Sequence, residues 1–424
     1  MAPTAISSSR RLAGSAGSVL VLVVALGCTR TPVHQGPPVF ELPEQYHVGL
    51  NPTSILTADL NGDGRPDLIT TNLNSNNVSV LLGKKPSANP QTGMESSADL
   101  FTEHVLYDVG VRPRTAALGD FNRDRRLDLA VANNQSDNLS ILLGDGKGAF
   151  RPATTLPAGR SPLAIAAGDL NGDGTDDLVV ALRFDHLLVY LGHGDGTFSQ
   201  PADYDPGDTP TAVLLADLNG DGHPDVVVSN NGPMTSSVTI FWGSATGELK
   251  LGPRYAAKER PIFSALGRVN DDAYPDLVAA IPFSNSVLVF FGDGHGPFAE
   301  PPVSLSAEVE PVSVTVGDFN GDGHGDLAIA NSGDSTISVL LGDGTGRFKK
   351  PQTYRAGSRP MALVAVDLNG DGLPDLAVAN NSSSNVSVLM AIPAPTPSAE
   401  PAPGPSSGNK EGDKDQGAGV KGKN

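Results

Sequence analysis

The sequence predicts an all-β fold made of one four-stranded unit repeated seven times, and three observations lead there. The first is composition: 49 glycines and 35 prolines in 424 residues, with 5% aromatics, penalise helix interiors and favour many turns. The second is a recurring string. D-L-N-G-D-G-R-P-D at 59–67 returns at 120–128, 169–177, 217–225, 268–276, 318–326 and 367–375, at intervals of 61, 49, 48, 51, 50 and 49 residues. The third is register, because a proline stands seven residues before every copy: Pro52, Pro113, Pro162, Pro210, Pro261, Pro311 and Pro360. Each unit reads as four short apolar runs bounded by Gly, Asn, Asp and Pro, the pattern of a strand meander. Four strands every ~50 residues is the period of a blade, so the expected architecture is a seven-bladed β-propeller with four-stranded antiparallel blades.

The elements follow in chain order. Residues 1–27 read as a signal peptide, with Arg10 and Arg11, then an apolar run from Val19 to Leu26, and no acid. The sole cysteine, Cys28, follows in A-L-G-C, which resembles a bacterial lipobox; lipidation at Cys28 is one expectation, and ordinary cleavage after Gly27 is the other. Residues 28–39 are expected to be a lipidated tether and 40–391 the propeller. The Pro/Gly-rich tail at 392–424 lacks apolar residues to bury and is expected to be disordered. Phe40 precedes the first loop by 19 residues, as Phe150 precedes Asp169. An outer strand near Glu44–Val48 should therefore complete the seventh blade, which stops after its third strand at 385–390, and remove a sheet edge. Gly83 to Phe101 spans 18 residues where Gly144 to Phe150 spans six, so a 12-residue insertion within Lys84–Leu100 lengthens the first interval.

Charge narrows the partners. The formal net charge is −18, and loss of residues 1–27 leaves 27 basic against 47 acidic residues, a net −20. A nucleic-acid surface needs clustered Lys and Arg, so nucleic acid is not an expected partner.

The repeated loop D-x-N-x-D-G-x-x-D sets oxygen-bearing side chains at positions 1, 3, 5 and 9. Calcium takes six to eight oxygens in a flexible shell, and alternate side chains on a tight loop can face one centre. A metal-free hairpin rich in Asx turns is the competing reading. An EF-hand is excluded, because its position-12 glutamate is replaced by Thr70, Val131, Val180, Val228, Ala279, Ile329 and Val378. The G-D-G-x-G-x-F segments lead into strands rather than helices, so they are hairpin turns and not phosphate loops.

Seven copies in register over about residues 40–390 resemble the FG-GAP/VCBS repeats of the integrin α-subunit propeller and its bacterial relatives. In that family the loop joins the first and second strands of each blade and binds calcium. Carried over by residue, the implied ligands are Asp59, Asn61, Asp63 and Asp67 in the first loop and Asp120, Asn122, Asp124 and Asp128 in the second. The third offers Asp169, Asn171, Asp173 and Asp177, and the fourth Asp217, Asn219, Asp221 and Asp225. The sixth offers Asp318, Asn320, Asp322 and Asp326, and the seventh Asp367, Asn369, Asp371 and Asp375. Five or six Ca2+ ions are expected. The second loop departs from the pattern, with Arg123 and Arg125 in place of both glycines, and its ion is the sixth of that count. The fifth is expected to be empty, with Arg268 in place of the first aspartate pairing with Asp272 or Asp276.

No H-E-x-x-H, no G-x-S-x-G and no cysteine in the folded region marks an enzyme, and Asp176 and Asp185 read as solvated turn residues. The expected function is a calcium-binding scaffold for a protein or matrix partner. It would be exported and lipid-anchored to the bacterial envelope, or secreted. A glycan-binding module, or a polysaccharide lyase or hydrolase, is the alternative. The face opposite the Asp loops, with Asn72, Asn74, Asn133, Asn134, Gln135, Asn230, Asn231, Arg112, Arg160, Arg260 and Arg359, is the expected binding surface.

Overall fold

The computed structural model describes residues 39–392, apart from 86, 89–94, 97–99, 234, 258 and 297. The expected signal segment, Cys28, the tether before residue 39 and the tail from 393 lie outside the described residues. Within them the chain forms seven four-stranded antiparallel sheets, meanders in the first six and, in the seventh, three consecutive strands completed by one from the amino terminus. Blade 1 comprises Pro52–Ala58, Asp67–Asn72, Asn77–Leu81 and Val105–Asp108. Blade 2 comprises Pro113–Gly119, Asp128–Asn133, Asn138–Leu142 and Thr154–Pro157, and blades 3 to 6 repeat the order. Inner strands of successive blades pack side by side, and the last, Pro360–Val366, packs against the first, closing a ring.

Burial follows position in the blade. The second strand is buried at every residue in all seven blades, and it reads as an unbroken apolar run such as D-L-A-V-A-N because both of its faces meet a neighbouring blade. Core clusters accordingly sit between blades. One joins Ala130, Leu139 and Ile141 of blade 2 to Leu178, Val180 and Tyr190 of blade 3. Burying a Leu or Val side chain contributes about 1.5–3 kcal/mol, so the blade-to-blade contacts dominate stability.

The ring closes through the amino terminus as the register requires. Glu44–His47 pairs with Asn385–Leu389 as the outer strand of blade 7. Phe40 pairs with Ala391, the counterpart of the Gly144–Phe150 bridge in blade 2. The Phe40 ring meets Tyr354 edge-on at 5.1 Å, as Phe150 meets Tyr107 at 5.5 Å. Gly83 bridges Phe101, which places the insertion between the third and fourth strands of blade 1; within it Ser87–Ala88 pairs with Glu95–Ser96.

Candidate metal loops

Each Asp loop joins the first and second strands of its blade, and its position-9 aspartate begins the second strand. That residue is fully buried in every blade: Asp67, Asp128, Asp177, Asp225, Asp276, Asp326 and Asp375 all have 0% exposure. Its two oxygens hold two segments together. One accepts the N–H of position 2 (Leu60, Phe121, Leu170, Leu218, Val269, Phe319, Leu368) at 2.8–3.0 Å. The other accepts the N–H at the start of the Gly-rich turn, from Gly83, Gly144, Gly192, Gly243, Gly292 and Gly342. In blade 7 Ala391 takes that place. Desolvation drives these carboxyls up, to about 7 in Asp177, Asp326 and Asp375 and about 6 in Asp128, Asp225 and Asp276. The two backbone N–H bonds oppose the rise, and neighbouring loop carboxylates add to it.

The position-1 aspartate shapes the loop. Asp59, Asp120, Asp169, Asp217, Asp318 and Asp367 each accept the N–H of positions 5 and 6 at 2.8–3.2 Å, one on each carboxylate oxygen. The position-3 amide oxygen accepts the position-5 N–H, and the position-5 carboxylate accepts the position-7 N–H. Positions 1, 3 and 5 are thus tied to one another's backbones in six loops, while position 9 serves the N–H of position 2 and the Gly-rich turn.

Tested against calcium, the donor chemistry fits in six loops, where positions 1, 3, 5 and 9 all carry hard oxygens. Arg65 pairs with Asp63, Arg126 with Asp124 and Arg123 with Asp173, while among the described residues no cationic side chain pairs with Asp367, Asp371 or Asp375. In the conformation observed, the position-3 amide nitrogen donates to the position-5 carboxylate at 2.9–3.3 Å in these six loops except the second. Among the described residues no three His, Cys, Asp or Glu side chains converge on an ion-sized centre. The loops therefore hold this shape through their own hydrogen bonds.

The two irregular loops part company. In the second, Arg123 and Arg125 adopt φ +58° and +63°, close to Gly62 at +74° and Gly64 at +81°, and the hydrogen bonds of Asp120 are unchanged. The Arg123 guanidinium reaches across to Asp173 of the third loop at 3.0 Å. In the fifth, no carboxylate stands at position 1 and neither Asp271 nor Ala273 is left-handed. Arg268 is exposed and, contrary to expectation, pairs with neither Asp272 nor Asp276, whose oxygens serve Asn270 Nδ2 and backbone N–H groups. The loop leans on blade 6 instead: Asp271 N–H donates to Gly344 O at 2.8 Å, and the His324 ring meets the Asp271 carboxylate at 2.9 Å. Asp176 also departs from expectation. It is buried, and its carboxylate accepts the Asp120 N–H at 2.7 Å. Asp185 is an exposed left-handed turn residue, as read.

On the opposite face the expected binding residues divide. Asn72, Asn133 and Asn230 are fully buried and donate across their own hairpins, Asn72 to Ser79 Oγ at 2.8 Å and Asn133 to Ser140 Oγ at 2.9 Å. They clamp the blade and do not face a partner. Arg112 and Arg359 are exposed; Arg160 lies over the Phe184 ring at 5.1 Å and Arg260 over Phe283 at 5.4 Å. Phe184 and Phe283 were not singled out by sequence, since an aromatic residue in a variable turn follows no repeat.

Solved structures share this fold. BBS1N, in complex with ARL6DN, aligns over 86% of this chain and 98% of its own at 13% identity, with a TM-score of 0.57. The Kuenenia stuttgartiensis hydrazine synthase structure aligns over 86% and 99% at 16% identity, with a TM-score of 0.55. No curated protein matches the sequence. The FG-GAP-like repeat model matches residues 120–180, 171–228, 268–329 and 318–378, and the FG-GAP repeat model matches 51–81. With these matches spanning more than half its length in the same register as the blades, the chain belongs to the FG-GAP repeat family.

Proposed function

We propose that this protein is an exported, calcium-stabilised propeller that binds a protein or matrix partner through the face opposite its Asp loops. The carrying observation is the division of labour between the two faces. Carboxylates at loop positions 1 and 9 are committed to their own backbones, while the opposite face exposes arginines beside Leu50, Val111, Phe184, Phe283 and Val309, each 42–71% exposed. Apolar and guanidinium groups together are what protein interfaces use. BBS1N, which has the same fold, was found in complex with another protein, and that is compatible with this use. Asp59, Asn61, Asp63 and Asp67, with their counterparts in the third, fourth, sixth and seventh loops, would hold the ions. Calcium would there neutralise clustered carboxylates and stiffen the rim. Export and anchoring rest on the sequence around Cys28; Cys28→Ala should release soluble protein from the detergent phase in which wild type partitions.

The test of the face is binding to a panel of immobilised matrix proteins and a glycan array in calcium, comparing wild type with Arg112→Glu/Arg160→Glu/Arg260→Glu/Arg359→Glu. A matrix-protein signal lost at unchanged melting temperature supports the reading. An unchanged signal, or a response on the glycan array alone, contradicts it.

A further inference from the structure

We propose that Arg112, Arg114, Arg160 and Arg183, an arc across blades 2 and 3, form a receptor site for an acidic, apolar-flanked segment of a protein partner. This rests on the reading of that face as the binding face and names the chemistry it selects.

Repetition supplies an internal control. Arg114 is the residue that follows the conserved-register proline, at the axial end of the inner strand, where the other blades have Thr53, Leu163, Thr211, Ile262, Val312 and Met361. Arg183 follows the second strand of blade 3, where the others have Leu73, Asn134, Asn231, Pro282, Ser332 and Asn381. Both charged departures fall in adjacent blades and within electrostatic range of each other. Arg114 is half-buried, and burial first, then Arg112 and Arg183, pull its pKa below the ordinary arginine value. Among the described residues no carboxylate pairs with Arg112, Arg114 or Arg183. The acids on the same turns are already engaged: Asp137 accepts the Ser161 N–H and Asp185 the Thr209 N–H, both at 2.8 Å.

Holding unpaired guanidinium groups together, one of them away from water, costs free energy that an incoming carboxylate recovers by bidentate hydrogen bonding. The flanking side chains specify the rest of the ligand. Leu50 and Val111 occupy the same place in the connections before blades 1 and 2 that Arg160 occupies before blade 3, and Phe184 lies beneath Arg160. Farther round the ring the sequence-equivalent positions carry Asp208, Glu259 and Glu310, with Arg260 and Arg359 each standing singly. The four guanidinium groups of blades 2 and 3 therefore draw an acidic segment more strongly than the single arginines before blades 5 and 7, on an otherwise strongly negative molecule.

The test uses the full folded chain in calcium buffer at low ionic strength, with fluorescence anisotropy of a labelled alternating Glu/Leu octapeptide, a Lys/Leu control and a heparin fragment. Wild type should bind the Glu/Leu peptide. Arg114→Gln/Arg183→Gln should weaken it about tenfold or more, and Lys349→Gln/Lys350→Gln, exposed positions after the Gly-rich turn of blade 6 and outside this face, by less than about twofold. Should Arg114→Gln disturb folding, Arg112→Gln/Arg183→Gln, both at exposed positions, serves in its place. No binding of the Glu/Leu peptide, equal binding of the Lys/Leu control, or preference for heparin overturns the proposal. If the loss appears only in Arg260→Gln/Arg359→Gln, this arc is wrong and the face stands; if no substitution on the face matters, both fall.

Discussion

The second and fifth loops depart from the repeat in opposite ways, and only one of them loses the loop. The second replaces both glycines with arginine yet keeps the left-handed backbone at 123 and 125 and both hydrogen bonds of Asp120. The fifth keeps Asn270, Asp272 and Asp276 but has Arg268 where the carboxylate belongs, and its backbone takes another path. A carboxylate accepting N–H groups from positions 5 and 6 organises the turn, and glycine only lowers its cost. A Cβ at Gly62 or Gly64 would meet nothing within 4 Å, so the penalty for a side chain there is conformational and not steric. Position 9 is independent of both, since Asp276 ties the fifth loop to Gly292 as Asp67 ties the first to Gly83.

Five substitutions sharpen this comparison. The largest effect should come from position 9: Asp326→Ala leaves two buried N–H donors without acceptors and should cost about 3 kcal/mol or more by urea denaturation in chelator. Asp276→Ala should cost as much, and in its case added calcium should leave the loss unchanged. Asp217→Arg should remake the fourth loop in the image of the fifth. It removes acceptors from Gly220, Asp221 and Gly222, costs about 2 kcal/mol, and speeds amide exchange at those residues. Gly220→Arg should imitate the second loop, costing only about 1 kcal/mol with the exchange pattern preserved. If Gly220→Arg proves the more damaging of the two, glycine rather than the carboxylate organises the loop. The smallest stability change belongs to Arg123→Gly, where lost ion pairing with Asp173 and relieved backbone strain nearly cancel. Freed of that guanidinium, the third loop should bind calcium roughly two- to fivefold tighter.

The ring was legible because each of its determinants repeats. The proline register, the 19-residue offset of Phe40 and the truncated seventh unit together placed the closing strand near Glu44–Val48, and it lies at Glu44–His47. Within the loops, the sequence marked out the residues that hydrogen-bond to the loop backbone but assigned position 9 to metal alone, since hydrogen bonding to Gly83 some sixteen residues away leaves no local pattern. The opposite face was read least well. Asn72 and its counterparts looked like turn amides on the surface, but each is the last residue of a buried strand. Asp176 was misread for a related reason: the partner that buries it, Asp120, belongs to the preceding blade. Contacts between blades depend on side-chain reach, and a repeat alignment carries no record of it.

Calorimetric titration of the chelator-stripped chain with calcium, followed by thermal denaturation, tests most directly whether a complete carboxylate set defines an ion site. With dissociation constants of about 10⁻⁴–10⁻³ M, sites at tenfold saturation contribute about 1.4 kcal/mol each, or about 7 kcal/mol for five. The expected result is five or six ions, a marked rise in melting temperature, and one further ion in Arg268→Asp/Ala273→Gly. Seven ions in the wild type, or no stabilisation by calcium, would contradict it.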